Sequence, residues 1–551
     1  MKQFLWGFKT TFTNAYLRVI LVIFAIATIG FSTIDKYGLA ADEIIQINAI
    51  KWNYDRVTIG QPIPIDLKYY GIAFDATAEA VFQIQEYIHK GSFTPLVTFE
   101  YPKFNEIVLK RIKIKHLLTF VLALITYVSV AGIVGIFGGI GYAWVGPLVL
   151  ALFPTFWGHS FFNPKDIPFA ALFTLSTYLG SYLVAEYIQE DKPLKIGINR
   201  ITFFTIAYGI LMGLTTGIRI GGLALPLFVV IAFTVVGLSS KNIFKKFNNL
   251  AGFYALMIVA WIATTNLCYP NYWFNPIRLF NKVIGYQSQH GWSGHVLFDG
   301  KFIPGDEIPW YYIPQWIGIT VPVLFQIFFL VGLGWILKNY PKFSVKQKVG
   351  SVLILLQIFF LPSVAIVKQS TIYDGIRHFI FVLPAMAALS ALGLVWIYKK
   401  LHGRYIKTFA IASIVVALMP ITLDMAALHP YEYVYFNRLS GGLINAHDRY
   451  DSDYWGLSTR AAIEWINKNG EHDAKIILAG HFDAARVLAK PSITFVTLQD
   501  FTEKKVKLEP PYYYVALLGR GKNLNNFFPE CPLVYQAARQ NVPLTVVKQC
   551  D

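Results

Sequence analysis

The chain has 551 residues, 55% of them hydrophobic, 16% aromatic and only 15% charged, with a formal net charge of +16 and a mean hydropathy of +0.47. A soluble protein of this size carries nearer a quarter charged residues, so the composition excludes an ordinary water-soluble enzyme. A basic balance alone would suit a nucleic-acid binder, but the placement of the charges removes that reading.

Apolar runs long enough to cross roughly 30 Å of hydrocarbon recur near 18–34, 116–136, 141–157, 169–187, 201–217, 221–239, 250–268, 316–337, 349–367, 377–398 and 406–425. About eleven spans predict an all-α polytopic membrane protein. With the N-terminus cytoplasmic, the inner segments hold Lys2, Lys9, Arg18, Lys192, Lys195, Arg200, Lys241, Lys245, Lys246, Lys338, Lys342, Lys346, Lys348, Lys399, Lys400, Arg404 and Lys407. The short outer loops hold only Lys165, Arg219, Arg278, Lys282, Lys301, Lys368 and Arg377. Seventeen against seven is a positive-inside bias. It sets the N-terminus inside and the C-terminus outside, and it accounts for much of the net charge. The first run has a basic flank but no small-residue cleavage site, so it reads as a retained anchor.

The outer loop at about 35–115 is too long to be a connector. Asp42 to Asn53 places Ile44, Ile47 and Ile50 on one helical stripe, and Tyr70 to His89 interleaves Ile72, Phe82, Ile84 and Ile88 with Asp75, Glu79 and Glu86. Both stretches predict amphipathic helices on the membrane surface. The run Lys110-Arg-Ile-Lys-Ile-Lys115 reads as snorkelling to lipid headgroups or as a holder of an anionic lipid. The loop at about 269–315 is rich in Trp and Tyr, which fits an interfacial aromatic belt or a sugar-stacking, substrate-gating loop. Residues 1–429 form the expected membrane domain. After 430, Ala474–Ala479, Ile493–Leu498 and Tyr512–Leu518 read as short buried strands alternating with helices at 459–468 and 481–489, a small α/β domain over 430–551 on the outer side. Cys531 and Cys550 fall there, where a disulfide is permitted. No internal repeat is present, which weighs against a secondary transporter.

Chain order puts several polar groups at the outer ends of spans: Asp42 and Glu43; His159, Lys165 and Asp166; Arg219; and Tyr373, Asp374, Arg377 and His378. Singly, each has an ordinary reading as a snorkelling or neutralised surface group. Together they suit chemistry on a lipid-borne phosphate, with cations holding the leaving phosphate and a carboxylate deprotonating an incoming hydroxyl.

The Asp-Glu pair after the first span, with Gly158-His-Ser-Phe-Phe-Asn-Pro-Lys-Asp-Ile-Pro168, Pro309-Trp-Tyr-Tyr-Ile-Pro314, Asp374-Gly-Ile-Arg-His378 and Pro430-Tyr-Glu-Tyr-Val-Tyr-Phe-Asn437, resembles the C-type (GT-C) membrane glycosyltransferases. Within them it is similar to the bacterial group related to protein O-mannosyltransferases and lipid A aminoarabinose transferases. The resemblance covers nearly the whole chain. It implies inverting transfer of a sugar from a polyprenyl-phosphate carrier to a glycolipid, glycan or protein acceptor at the outer face of the inner membrane, with the C-terminal domain periplasmic. Asp42 matches the catalytic acidic residue, Glu43 its partner, and Asp166 a second acidic position. Lys165, Arg219, Tyr373, Arg377, His378 and His159 are candidates for the carrier phosphate or sugar. No cofactor is implied as required, although Asp42 with Asp166 would suit a divalent metal, and no nucleic acid is involved. The rival readings are a lipid or sugar transporter with the outer charges lining its path, and a non-catalytic assembly factor.

Overall fold

The computed structural model describes residues 2–64, 67–96, 98, 105–189, 196–238, 243–275, 277–279, 282, 292, 294–519 and 522–551. Lys192, Lys195 and Lys241, and residues 276, 280–281, 283–291 and 293 of the aromatic loop, lie outside them. Among the described residues ten helices are long and apolar enough to cross a membrane. They are carried by α1 (Lys2–Thr33), α4 (Asn105–Gly138), α7 (Asp166–Gln189), α8 (Arg200–Ile218), α9 (Ala224–Gly237), α10 (Ile243–Leu267), α12 (Val323–Asn339), α13 (Val345–Val367), α14 (Val382–Lys400) and α15 (Arg404–Leu428). The protein is a multi-pass membrane protein.

The run expected to span at 141–157 is broken. It forms α5 (Val145–Ala151) and α6 (Pro154–Phe162), and the apolar segments that they belong to are bent by 76°. Phe153 is extended at the break, as a residue before proline prefers, and Pro154 has no amide to continue the helix. All of α6 is buried, so this arm carries His159 into the protein interior. Two other expected spans are shorter than read. Pro322 separates α11 (Tyr312–Thr320) from α12, and the span expected from 377 begins at Val382, leaving Arg377 and His378 on a 3₁₀ turn outside it.

In hydrocarbon, helices gain little from excluding water, and small residues at crossings let their backbones meet. A Cβ on Gly332 of α12 would stand 2.0 Å from the Leu389 carbonyl oxygen of α14, and one on Gly393 2.1 Å from that of Phe328. One continuous apolar core runs from Ile26 through the membrane helices and takes in Tyr431, Tyr433, Tyr454, Trp455 and Leu457. The segment after the last span therefore packs with the membrane helices before the chain enters its sheet.

Outside the spans, α2 (Glu43–Thr58) and α3 (Ala73–Lys90) follow the first membrane helix. α2 is sandwiched rather than laid on lipid: Ile44 and Ile47 pack against Val108 and Ile112 of α4 and against Ala484 and Val487 of α18 (Phe482–Leu488). The basic run at 110–115 belongs to the outer extension of α4 and divides. Arg111 and Lys115 are buried and pair with Glu79 and Asp75 of α3, each at 2.7 Å, while Lys110 and Lys113 stay exposed. The aromatic loop divides too. Trp310 and Tyr311 are exposed, Tyr312 and Trp316 are core residues, and a hairpin of β1 (His295–Phe298) and β2 (Lys301–Pro304) precedes them.

The C-terminal sheet has the order β4-β3-β5-β7-β6, from β3 (Lys475–Ala479), β4 (Thr494–Thr497), β5 (Tyr512–Leu517), β6 (Leu533–Arg539) and β7 (Val542–Cys550). β3 pairs in parallel with β4 and β5, and the other pairings are antiparallel. β5 is buried along its length, as its run of Tyr, Val, Ala and Leu requires for a central strand. Cys531 and Cys550 form a disulfide.

The glycine crossing yields a test. Gly393→Val overpacks the α12–α14 contact and should cost about 1–3 kcal/mol, seen as a lower thermal midpoint in detergent. Gly334→Ala, which meets nothing within 4 Å, should leave the midpoint unchanged.

Candidate active site

Asp374 and Gly375 both take positive φ, 58° and 65°, a left-handed turn that asparagine-like side chains and glycine tolerate best. The turn brings the Asp374 carboxylate within 3.0 Å of Arg377 Nε. The guanidinium lies against the rings of Tyr373 and Trp455, 4.8 and 4.9 Å from their centroids, and the Trp455 indole donates to Asp374 at 3.2 Å. Asp42 completes the group, its carboxylate 3.5 Å from Arg377 Nη1. Burial alone would loosen the Arg377 proton, but Asp374 foremost, with Tyr373 and Asp42, holds it more firmly than usual. Arg377 is 5% exposed and Asp42 42% exposed at the side chain, so the pair joins the interior to an accessible surface.

The loop that delivers Asp42 is anchored on both sides. Tyr37 donates to Glu432 at 2.9 Å, and Arg460 donates to the carbonyls of Asp35 and Tyr37 at 2.7 and 2.8 Å. The Ala41 amide donates to the Trp455 carbonyl at 3.2 Å. A Cβ on Gly38 would stand 2.3 Å from the Leu457 carbonyl oxygen. Asp42 precedes α2 without capping it through its side chain, which leaves its carboxylate available. Glu43 is the opposite case. It is fully buried, accepts from the Ala40 amide at 2.8 Å and meets His116 Nε2 at 2.9 Å. Its oxygens stitch the loop to α4.

A second group sits at the start of α7. Asn163 Oδ1 accepts from the Asp166 amide at 2.8 Å, and its Nδ2 donates to the Asp166 carboxylate at 2.8 Å. The same amide reaches His159 Nδ1 at 3.1 Å, and His159 Nε2 meets the Tyr454 hydroxyl at 2.9 Å. Arg219, where α8 ends, pairs with Asp166. Lys165 Nζ stands 3.5 Å from the centroid of the Tyr70 ring. Removal from water, and then the neighbouring Arg219, pushes the Lys165 ammonium down to about 7.

Lys165, Arg219 and Tyr70 border a cavity of about 480 Å³. Its lining combines apolar residues (Leu223, Leu227, Phe360, Leu361 and Val364) with basic ones (Lys165, Arg219, Lys368 and His378). Of the residues singled out from sequence, Lys165, Arg219 and His378 line it. Tyr373 packs against His378, ring centroids 4.9 Å apart, and Arg377 and Asp42 lie beyond Tyr373. His159, Asp166 and Glu43 are buried and absent from the lining. Among the described residues no three His, Cys, Asp or Glu side chains converge to hold a metal ion. The Asp166 carboxylate is engaged by Arg219 and Asn163.

Sequence reasoning passed over Tyr70, Lys368, Tyr454, Trp455 and His116. The stretch Asp451-Ser-Asp-Tyr-Trp455 carried a signal, two acids and two aromatics together just past the last span. Asp453 in it is fully buried and accepts from the amides of Leu457 and Ser458 at 2.9 and 3.0 Å, which fixes the turn that presents Trp455.

No family model matches the chain, and no curated protein does. Among solved structures, the apo oligosaccharyltransferase of Archaeoglobus fulgidus superposes with a TM-score of 0.53 at 10% identity, over 97% of this chain and 76% of that one. ArnT from Cupriavidus metallidurans superposes at 0.47 in its apo state and 0.45 bound to undecaprenyl phosphate, each at 13% identity over 96% of this chain and 97% of that one. The likeness shows that this chain shares the fold of the oligosaccharyltransferase.

The buried pair below Asp42 is testable. His116→Ala leaves the Glu43 carboxylate short of a buried partner and should cost about 3 kcal/mol, read as a fall in thermal midpoint. Adding Glu43→Gln should recover part of that loss.

Proposed function

We propose that this protein is an inverting glycosyltransferase that takes a sugar from a polyprenyl-phosphate carrier and passes it to a hydroxyl or phosphate group of a glycolipid, glycan or protein. The observation that carries the reading is a cavity lined by apolar and basic side chains near an accessible carboxylate paired with a buried arginine. An isoprenoid tail suits the wall of Leu223, Leu227, Phe360 and Val364, and its phosphate suits Lys165, Arg219, Lys368 and His378. The GT-C fold supports the same class.

In the proposed reaction the acceptor oxygen bonds to the anomeric carbon while the bond from that carbon to the phosphate oxygen breaks. Asp42 takes the acceptor's proton, and the electron pair leaves with the phosphate, whose growing charge is met by Lys165 and Arg219. One displacement inverts the anomeric centre. Arg377 orients Asp42, while Asp166 orients Arg219, and Glu43 holds the loop. Asp166 and Glu43 thus act through other residues. The reaction belongs at the outer face of the inner membrane, with the N-terminus cytoplasmic and the C-terminal sheet periplasmic. The positive-inside charge bias and the Cys531–Cys550 disulfide support that orientation. A transport path would need polar groups along the bilayer's depth, whereas Asp166, Arg219 and Arg377 sit at helix ends.

Asp42→Asn should lower the transfer rate about 10²- to 10⁴-fold, the range for a lost general base, with carrier binding unchanged. A folded Asp42→Asn protein that transfers sugar at the normal rate would refute the assignment. Phosphate binding should also be linked to a proton. With the Lys165 ammonium lowered to about 7, the free protein loses this cation as pH rises past neutrality. The KM for the carrier should therefore rise between about pH 7 and 9, and Lys165→Arg, charged throughout, should flatten that rise.

A further inference from the structure

We infer that the groove between α3 and the outer end of α4 holds the headgroup of an anionic phospholipid, and that α3 lies in the headgroup layer of the bilayer. This inference does not depend on the proposed enzymatic reaction.

One face of α4 changes character along its length. Lys110 and Lys113 are exposed at its outer end, and Leu117, Val121 and Val128 are exposed below them, at 42%, 39% and 51%. A stripe that passes from lysine to bare aliphatic residues on a membrane-crossing helix marks where that helix leaves the hydrocarbon. α3 crosses α4 at this level. Asp75 and Glu79 grip Lys115 and Arg111, the Arg111 guanidinium lies 4.3 Å from the Phe82 ring centroid, and the remaining turns of α3 extend past the lysine stripe. On those turns Ile84, Tyr87 and Ile88 are 58%, 53% and 74% exposed, and Phe93 just beyond is 66% exposed and stacks on Tyr87. Bare apolar residues on both helices suit the same solvent, lipid.

Between the helices lies a groove of about 450 Å³ with Phe82, Ile114 and Leu117 as its apolar lining and His89, Lys90, Lys110 and Lys113 around it. Among the described residues its one lining carboxylate is Glu86, which Lys90 holds. Glu106 holds Lys110 at 3.0 Å from the same helix, and His89 Nδ1 is bonded to the Gln85 carbonyl at 2.7 Å. Among the described residues the lining cation left over is Lys113, beside an apolar lining, which is the complement of a phosphodiester carried on acyl chains.

The full chain in nanodiscs, labelled with a photoactivatable phosphatidylglycerol, tests this. Crosslinks should map to residues 84–90 and 110–117, exceed those from a phosphatidylcholine probe of the same design, and fall about fivefold in Lys113→Ala. They should fall again in the Lys110→Ala, Lys113→Ala double variant. Excess soluble glycerol phosphate should not compete. Equal labelling by the two lipids, labelling unchanged in the double variant, or displacement by glycerol phosphate, which marks a small-anion site, would each overturn the inference.

Discussion

The arrangement hangs on one buried guanidinium. A charge removed from water is costly unless it is paired, and Arg377 is paired with Asp374 and Asp42 and lies against two aromatic faces. Those partners come from three remote stretches: the loop after the first span, the turn before α14, and the segment after the last span. Satisfying a single cation thus draws these segments beside the ends of the membrane helices together. Trp455 serves twice, stacking on the guanidinium and donating to Asp374.

The neighbouring carboxylates of Asp42 and Glu43 show how environment divides chemically similar groups. Glu43 has no exposed surface and both of its oxygens are engaged, so in this account it holds backbone. Asp42, one residue earlier, faces an open surface with a cation behind it. Asp166 follows the logic of Glu43, held by Asn163 and Arg219, and in the proposed reaction it acts on the phosphate through Arg219. The broken helix matters to both groups. The bend at Phe153–Pro154 sends α6 through the interior, where His159 joins Asn163 to Tyr454.

Much of this was legible in the sequence because hydropathy reports membrane spans directly. The spans, the outer polar cluster and the three parallel strands of the C-terminal sheet could be read from periodicity and charge. The bend in the third run could not, since its residues are as apolar as those of a straight span and only Pro154 hinted at it. The burial of α2 was also hidden. Its stripe of Ile44 and Ile47 fits a lipid surface as well as it fits Val108 and Val487, and no local pattern separates lipid from protein. Arg111 and Lys115 read as headgroup lysine and arginine until Glu79 and Asp75 were found opposite them. The role of Trp455 was hidden for a related reason, because a tryptophan beyond the last span resembles any interfacial anchor until its partners are known.

The central claim is that Lys165 and Arg219 in the cavity lining receive a lipid phosphate near Asp42. The direct measurement is an electron cryomicroscopy map of the Asp42→Asn protein in nanodiscs with a polyprenyl phosphate. This account predicts the phosphate within hydrogen-bond reach of Lys165 and Arg219, with the isoprenoid chain along Leu223, Phe360 and Val364. A phosphate held anywhere else, or a cavity that takes up no carrier at saturating concentration, would contradict it.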